Sequence, residues 1–498
     1  MNYMGVDIGT SGCKAVVTDA GGRQLGSAYR EYDVRFTDDG GAELDSDEVI
    51  GKCLEVIAEA ASRAPARSVK ALAVSSQGEA FTAVGKDGSA LCNAMVSSDT
   101  RSDPYARSWP EHFGERELYD VTGHTAHPMF TLFKLLWLKE NRPEVWRAAV
   151  RFLCFEDLLQ FRLGLDPAMG WPLAARTMLF DVRRHEWHGA ILDRIGLAPS
   201  KLARPLPSGS VAGELPEERA RELGLADRAL VVTGGHDQPC AALGAGVTEA
   251  GKAMYATGTV ECIAPVFAEA IFDERLRHAN LCTYDHTVPG RYFSVAFSLT
   301  GGNLLKWFRD EFGAAEVAEA QRSGANAYEL LLASAAREPS SLMVLPYFTP
   351  SGTPYFDTAT KGAILGLRLS TTRGEILRAL LEGIAFEMRL NLDLLESAGC
   401  AVRELRAVGG GARSAFWTQL KSDVLGKPIT VLDAPEGGCL GAAMLACAAD
   451  TGEPAAAIAE KWVRIASTCA PRSDVSAFYR ERFETYRRVY PAIRGVRV

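Results

Sequence analysis

The chain opens on an alternation of apolar and polar positions that small residues interrupt twice. YMGVDIG, TSG and CKAVVTD read as strand, turn and strand, and a turn at Gly21 and Gly22 leads into a third strand, QLGSAYREYDV. Consecutive hairpins predict an antiparallel start to a sheet. The spacing then becomes helical in SDEVIGKCLEVIAEAASRA, with Ser46 as N-cap and acids in the first turn, before the apolar run VKALAVSSQ. Strands, a helix and a further strand indicate a mixed α/β sheet. Residues 104 to 200 carry mostly helical patterns, among them FTLFKLLWLKENRPEVW, which stops near Pro143. A second αβ passage, RALVVTGGHDQPCAALGAGV, starts near 228, and AMYATGTVECIAPV after it echoes the opening: apolar strand, Gly-Thr turn, apolar strand. The echo suggests a duplicated unit, one in each half. Helices follow at 303 to 312 and 374 to 398, then the strand ELRAVGGGA with a helix behind it, and a last helical region from 473.

Length turns this pattern into an architecture. A chain of 498 residues exceeds what one core organises, so two domains of about 200 to 250 residues are expected, 1–246 and 247–498, with a cleft between them. Apolar residues at 47% and charged residues at 23% are those of a soluble globular protein, and no apolar run reaches the roughly 20 residues that span a bilayer. No membrane partner is expected. The start MNYMGVD carries no secretory pattern, so a cytoplasmic location is expected. Eleven cysteines without a C-x-x-C pair fit reduced thiols better than disulfides or structural zinc. The formal charge of -8, mixed along the chain, leaves no basic stripe for nucleic acid.

Candidate chemistry gathers at the turns. Asp7 lies inside an apolar strand, where a carboxylate is costly unless something pairs with its charge. Gly9 to Gly12, with Thr10 and Ser11, can converge backbone amides and hydroxyls on phosphate oxygens, and Lys14 can add a cation; taken alone, a plain tight turn explains the glycines equally well. A phosphate there gives Asp7 a reason, with Mg²⁺ between carboxylate and phosphate. Gly258 and Thr259 form a second such turn, and Gly409, Gly410 and Gly411 a third, between a strand and a helix. Neither a G-x-G-x-x-G fingerprint after the first strand nor a G-x-x-x-x-G-K-[ST] loop occurs, which disfavours NAD enzymes and P-loop NTPases.

Asp237 stands between an apolar strand and a helix. It reads either as a helix cap or as a base at the sheet edge where α/β proteins bind ligands, able to take a proton from a substrate hydroxyl. His236 beside it reads as structural, since no metal-ligand spacing surrounds it, and no G-x-S-x-G elbow supports a serine nucleophile. Gln77, Gly78 and Glu79 end another strand and offer donors and acceptors to a hydroxylated substrate, or form a solvated turn. Asp99 and Arg101 in SSDTRSD are a further wall of the same pocket, or an exposed ion pair.

With these motifs in place, the chain resembles the FGGY family of carbohydrate kinases from residue 4 to about 447. DIGTSGCK, MFTLFKLLWLKEN, GGHDQPCAALGAG, GAILGLRLSTTRGEILRALLE and GGGARSAFWTQLKSDVLG occur in the family's order. The resemblance implies the fold class shared with actin, hexokinase and Hsp70: two related α/β, ribonuclease H-like domains closing on ATP. It implies transfer of the γ-phosphate of MgATP to a sugar or polyol hydroxyl. By similarity Asp237 is the general base, Asp7 and Asp237 hold Mg²⁺, and Gly9, Thr10, Ser11 and Lys14 meet the phosphates. Gly258 and Thr259 look like the second phosphate turn, Gly302 like a nucleotide-facing segment, and Gly410, Gly411 and Ala412 like the adenosine turn. Gln77, Glu79, Asp237 and Gln238 resemble the sugar-binding set, to which Gly78, Asp99 and Arg101 are added.

Gly78 departs from the pattern: glycerol kinases have Arg there, and xylulokinases have Met-His in place of Gly78 and Glu79. Loss of that Arg is expected to open space for a substrate larger than glycerol, such as a pentulose, a deoxysugar or a polyol. A homodimer or homotetramer is a family expectation. The competing reading is a catalytically silent nucleotide switch or sugar-binding module on the same fold.

Overall fold

The computed structural model describes residues 1–433 and 436–496. The opening alternation becomes β1 (Asn2–Ile8), β2 (Gly12–Asp19) and β3 (Gln24–Glu31), an antiparallel meander in which Asp7 lies opposite Lys14. The helix after them, α1 (Ser46–Ser62), is capped by Asp45, whose carboxylate accepts from the amides of Asp47 and Glu48. Ser46, expected as the cap, is buried in the first turn against Thr82. A carboxylate answers the positive end of the helix better than a hydroxyl does.

β4 (Val69–Ser76) pairs parallel to β1, β6 (Leu230–His236) parallel to β4, and β5 (Val211–Glu214) antiparallel to β6, giving the order β5-β6-β4-β1-β2-β3. Residues 103 to 195 supply mostly helices, among them α2 (Thr131–Asn141), α3 (Phe155–Arg162) and α4 (Trp171–Arg176). α5 (Asp237–Gly244) starts directly at the end of β6 and two residues before Pro239, whose missing amide costs nothing in a first turn.

The second half repeats the arrangement. β7 (Lys252–Thr257), β8 (Glu261–Phe267) and β9 (Ala296–Ser298) form the meander, β10 (Glu404–Val408) and β11 (Ile429–Leu432) add parallel strands, and β12 (Ile465–Cys469) closes antiparallel. Six strands of this eight-stranded sheet, in the order β12-β11-β10-β7-β8-β9, match the first sheet in direction, and the short strands Tyr292–Phe293 and Tyr284–Asp285 extend it beyond β8. Among those six the edge strand differs in chain order, preceding its neighbour in one sheet and following it in the other. The echo between the two Gly-Thr turns is therefore a true structural repeat. Helices α6 (Gly302–Phe312), α7 (Arg373–Ser397), α8 (Ala415–Leu425) and α10 (Ser473–Ile493) lie where the helical spacing predicts them.

One helix ties the halves together. α9 (Gly437–Thr451) follows β11 in the chain, yet packs its alanines with Tyr3, Ala71, Ala73 and Val232 of the first sheet. Against α5 the backbones nearly touch: a Cβ added at Gly441 would lie 1.9 Å from the Cys240 carbonyl oxygen, and one at Gly244 2.1 Å from that of Gly437. No helix among the described residues is long and apolar enough to cross a membrane.

Candidate active site

Because β1, β4 and β6 run parallel, their C-terminal ends share one edge of the first sheet. That edge brings together the turn after Ile8, the segment Gln77 to Glu79, and Asp237. In the second sheet β7 and β10 do the same for the turns at Gly258 and Gly409. Three cavities open along these edges, among them one of about 690 Å³ lined by Val408, Gly409, Gly410, Ala412 and Asp433. A smaller one of about 260 Å³ is lined by Thr10, Gln77, Gly78, Glu79, Asp237 and Gln238. A larger one of about 930 Å³ is lined by Gly258, Thr259, Gly302, Gly410, Gly411 and Trp417. The turn between β7 and β8 reaches these last two, since Val260 lines the smaller cavity and Gly258 the larger.

Asp237 is the focus of the smaller cavity. Its Oδ1 is buried and makes no hydrogen bond among the described residues, with His236 Nε2 lying 3.2 Å away out of alignment. The side chain as a whole remains 34% exposed. Burial first, then the negative charges of Asp7 and Glu79, push its carboxyl up to about 7, while Gln238 and Arg176 pull the other way. A helix cap would show its carboxylate on the first-turn amides; α5 has no side-chain cap bond. His236 is buried with Nδ1 3.0 Å from the Tyr284 hydroxyl, and burial together with Arg176 and His124 holds it well below the ordinary histidine range, hence neutral.

Asp7 accepts from Ser75 Oγ at 2.6 Å, and burial raises its carboxyl, with the charge of Glu436 adding to the rise. Lys14 Nζ is paired with Glu436 Oε1 at 2.5 Å, so its charge is already partnered beside the first turn. Thr10 and Ser11 are exposed at the tip of that turn, which closes by a Gly9 amide bond to the Gly12 carbonyl at 3.0 Å. Gln77 braces this turn: its Nε2 donates to the Gly9 carbonyl at 2.9 Å and its Oε1 accepts from Thr10 Oγ1 at 3.2 Å. Its amide is thus engaged with the first glycine turn as well as lining the smaller cavity. The Gly302 amide donates to the Gly258 carbonyl at 2.9 Å, docking α6 on the second turn.

Two sequence expectations change. Asp99 and Arg101 do not line either cavity; they form a buried pair at 2.6 Å that Glu43 joins, with the Arg101 guanidinium 4.3 Å from the Trp137 ring. Ala412, largely buried on the 3-10 turn Gly410–Arg413, lies off the larger cavity and faces the cavity of about 690 Å³ with Gly409 and Gly410. Gly78 does not open space. A Cβ there would meet His236 Cδ2 at 3.0 Å and Arg176 Cγ at 3.4 Å, so other side chains already fill the volume.

Arg176 is the residue that sequence reasoning missed. It donates from Nε to Glu79 Oε1 at 2.5 Å and stacks 4.8 Å from the Phe130 ring, placing a guanidinium in the cavity from α4. Its one signal was an arginine inside the apolar run WPLAARTMLF, where a charge needs a buried partner. Glu79 itself sits at φ 66, a left-handed conformation rare outside glycine. Ser97 Oγ donates to its carboxylate at 2.7 Å, and Thr131 Oγ1 and Lys134 Nζ donate to its carbonyl at 2.9 and 3.4 Å. The first half adds His124, Thr125, Met129 and Phe130 to the wall, and the second half a mostly apolar side with Val260, Cys262, Asn280, Val295, Phe297 and Phe356.

The models of the N-terminal and C-terminal domains of the FGGY family of carbohydrate kinases match residues 2–244 and 253–449. The chain is 28% identical to the xylulose kinase of Bacillus subtilis over 98% of this chain and 97% of that protein. It is 27% identical to the gluconokinase of the same species, over 89% and 87%. Among solved structures, the ligand-bound xylulose kinase of Lactobacillus acidophilus superposes with a TM-score of 0.90 at 22% identity, covering 99% of each chain, which shows the shared fold. The repeated sheets, the glycine turns around the cavities and both domain matches agree: this chain belongs to the FGGY family of carbohydrate kinases, two-domain ATP-dependent phosphotransferases of the actin-like fold.

Proposed function

We propose that this carbohydrate kinase phosphorylates a neutral ketose or polyol, a pentulose such as xylulose first among them, with Asp237 as the general base. The observation that carries the reading is the unpartnered Oδ1 of Asp237 in the cavity that the first phosphate turn borders. A carboxylate near pH 7 in its affinity for protons is suited to accept one from an attacking hydroxyl. The nucleotide lies in the larger cavity, and its γ-phosphate reaches the sugar past the turn from Gly258 to Val260. The tips of the two turns, Thr10 and Ser11 in one and Thr259 in the other, then face the charge that develops on the transferring group.

Asp7 and Asp237, both raised by burial and with the charge of Asp7 adding to the rise of Asp237, are two carboxylates that suit a divalent cation. Mg²⁺ held there with the nucleotide phosphates would neutralise the charge that builds up in transfer. Ser75 keeps Asp7 oriented by its 2.6 Å hydrogen bond.

A neutral substrate is favoured over a sugar acid by the charges of the cavity. Arg176 is the cation that lines it among the described residues, and Glu79 already neutralises it; Lys134 is turned away onto the carbonyls of Glu79 and Met95. An aldonate would bring a third carboxylate beside Glu79 and Asp237 without a free cation. ADP release from MgATP, measured across ketoses, polyols and aldonates with wild type and Asp237→Asn, tests the reading. One strongly stimulating neutral sugar, silent with Asp237→Asn, is the expected result; stimulation by gluconate above every ketose would reverse the substrate assignment.

A further inference from the structure

The two turns that line the larger cavity come from neighbouring parallel strands, β7 and β10, and one buried ammonium joins them. Lys421 lies on α8, which starts directly after the turn Gly410–Arg413. Its side chain is 3% exposed, yet its Nζ donates to Thr257 Oγ1 at 2.8 Å and pairs with Glu261 Oε1 at 2.6 Å. Thr257 is the last residue of β7 and Glu261 the first of β8, so the ammonium grips both flanks of the turn from Gly258 to Val260. The rings of Trp417 and Tyr255 stand 4.0 and 4.8 Å from the same nitrogen, and Trp417 is part of the cavity wall. The fit is close on the other side too: a Cβ at Gly411 would lie 2.2 Å from Thr257 Cγ2.

Such a pair is poor as a stability device alone. Burying two charges costs desolvation that an apolar pair of the same size avoids, and Glu261 Oε2 and the Tyr255 hydroxyl are left buried without partners among the described residues. What an apolar pair cannot do is hold two loop flanks at hydrogen-bond distance. We propose that Lys421 is a positioning residue for the nucleotide: through Thr257 and Glu261 it sets the phosphate turn Gly258 to Val260 against the turn Gly409 to Gly411, so that one ATP engages both. This rests on the reading of the larger cavity as the ATP site.

The test separates the inference from that reading. Calorimetric titration with MgADP and steady-state kinetics would be run on wild type, Lys421→Met and the double variant Lys421→Met/Glu261→Leu. Lys421→Met is expected to weaken MgADP binding and raise the KM for ATP about tenfold, with the KM for sugar within twofold. The double variant leaves no lone buried charge and carries the same question should the single variant fail to fold; it too is expected to show weakened MgADP binding. Unchanged MgADP affinity in a folded variant, or equal rises in both KM values, would overturn the positioning role. Wild-type protein that binds no MgADP would instead overturn the ATP cavity itself.

Discussion

At the scale of the residue, Asp237 carries the sharpest expectation. Its carboxyl is raised to about 7, so below that pH the folded protein holds a proton on the group proposed to accept one. Plots of log kcat/KM for the sugar against pH should therefore fall with unit slope below about pH 7 and level off above it. Asp237→Asn should lower kcat by about 10² to 10⁴ and abolish that limb. A wild-type profile flat from pH 5.5 to 8 would remove Asp237 as the base. Lys134 makes a second expectation: it is fully buried, held down to about 8 by burial, and donates to the carbonyls of Glu79 and Met95. Lys134→Met should remove the Lys134 bond to the Met95 carbonyl and leave the Glu79 carbonyl to Thr131 alone, at a cost of about 1–3 kcal/mol. Because the strained Glu79 is what it braces, the KM for sugar should rise more than the KM for ATP; equal changes would show a structural role only.

Residue identity was legible in the sequence wherever a local pattern marked it. Asp7, Thr10, Asp237 and the glycines stand at strand ends that the alternation exposes. Arg176, Lys134 and Lys421 were not legible as site residues, because each lies within a helical run and acts on a strand end that is 55 to 164 positions away in the chain.

At the scale of the element, β6 shows how a strand is held for its function. Glu156 on α3 is buried, and its carboxylate accepts from the Gly234 amide at 2.7 Å and the Gly170 amide at 3.2 Å, just before Asp237. Burial raises its carboxyl from 4.5 to about 8 in spite of those bonds. In that window the folded chain binds a proton that the unfolded chain has released, so this group's contribution to stability is complete below pH 4.5 and is lost as pH rises through about 8. Melting temperatures of wild type should fall between pH 5 and 8 more steeply than those of Glu156→Gln, whatever the variant's stability at pH 5; parallel curves would contradict the shift. Hairpins and helices could be placed from spacing alone, whereas the cap at Asp45 was displaced by one residue because two polar candidates stood side by side.

At the scale of the whole molecule, the halves share their interior. α9 belongs by sequence to the second half and lies against the first sheet, and core residues such as Met254 and Ala264 cluster with Met4 and Val74. Unfolding should then be a single calorimetric transition, and Gly441→Val, whose first added carbon meets the Cys240 carbonyl, should lower it by overpacking of about 1–3 kcal/mol or more. Two separate transitions, or a Gly441→Val protein as stable as wild type, would show that the α5 and α9 contact does not couple the halves. The same contact lies behind the cleft where the glycine turns meet, and so bears on how freely the halves close over ATP and sugar.

The sequence by itself determined the alternation that makes two hairpin-led sheets, the order of the glycine turns, and an acid at the end of an apolar strand. These depend on residues within a few positions of one another, where backbone sterics and periodicity decide. Only the tertiary structure decided that the strand ends converge on shared cavities, that Asp99 and Arg101 pair away from them, that His236 and Arg176 fill the space above Gly78, and that Lys421 bonds both flanks of the turn at Gly258. Those outcomes depend on which charges find partners when buried, and burial is set by the packing of elements far apart in the chain.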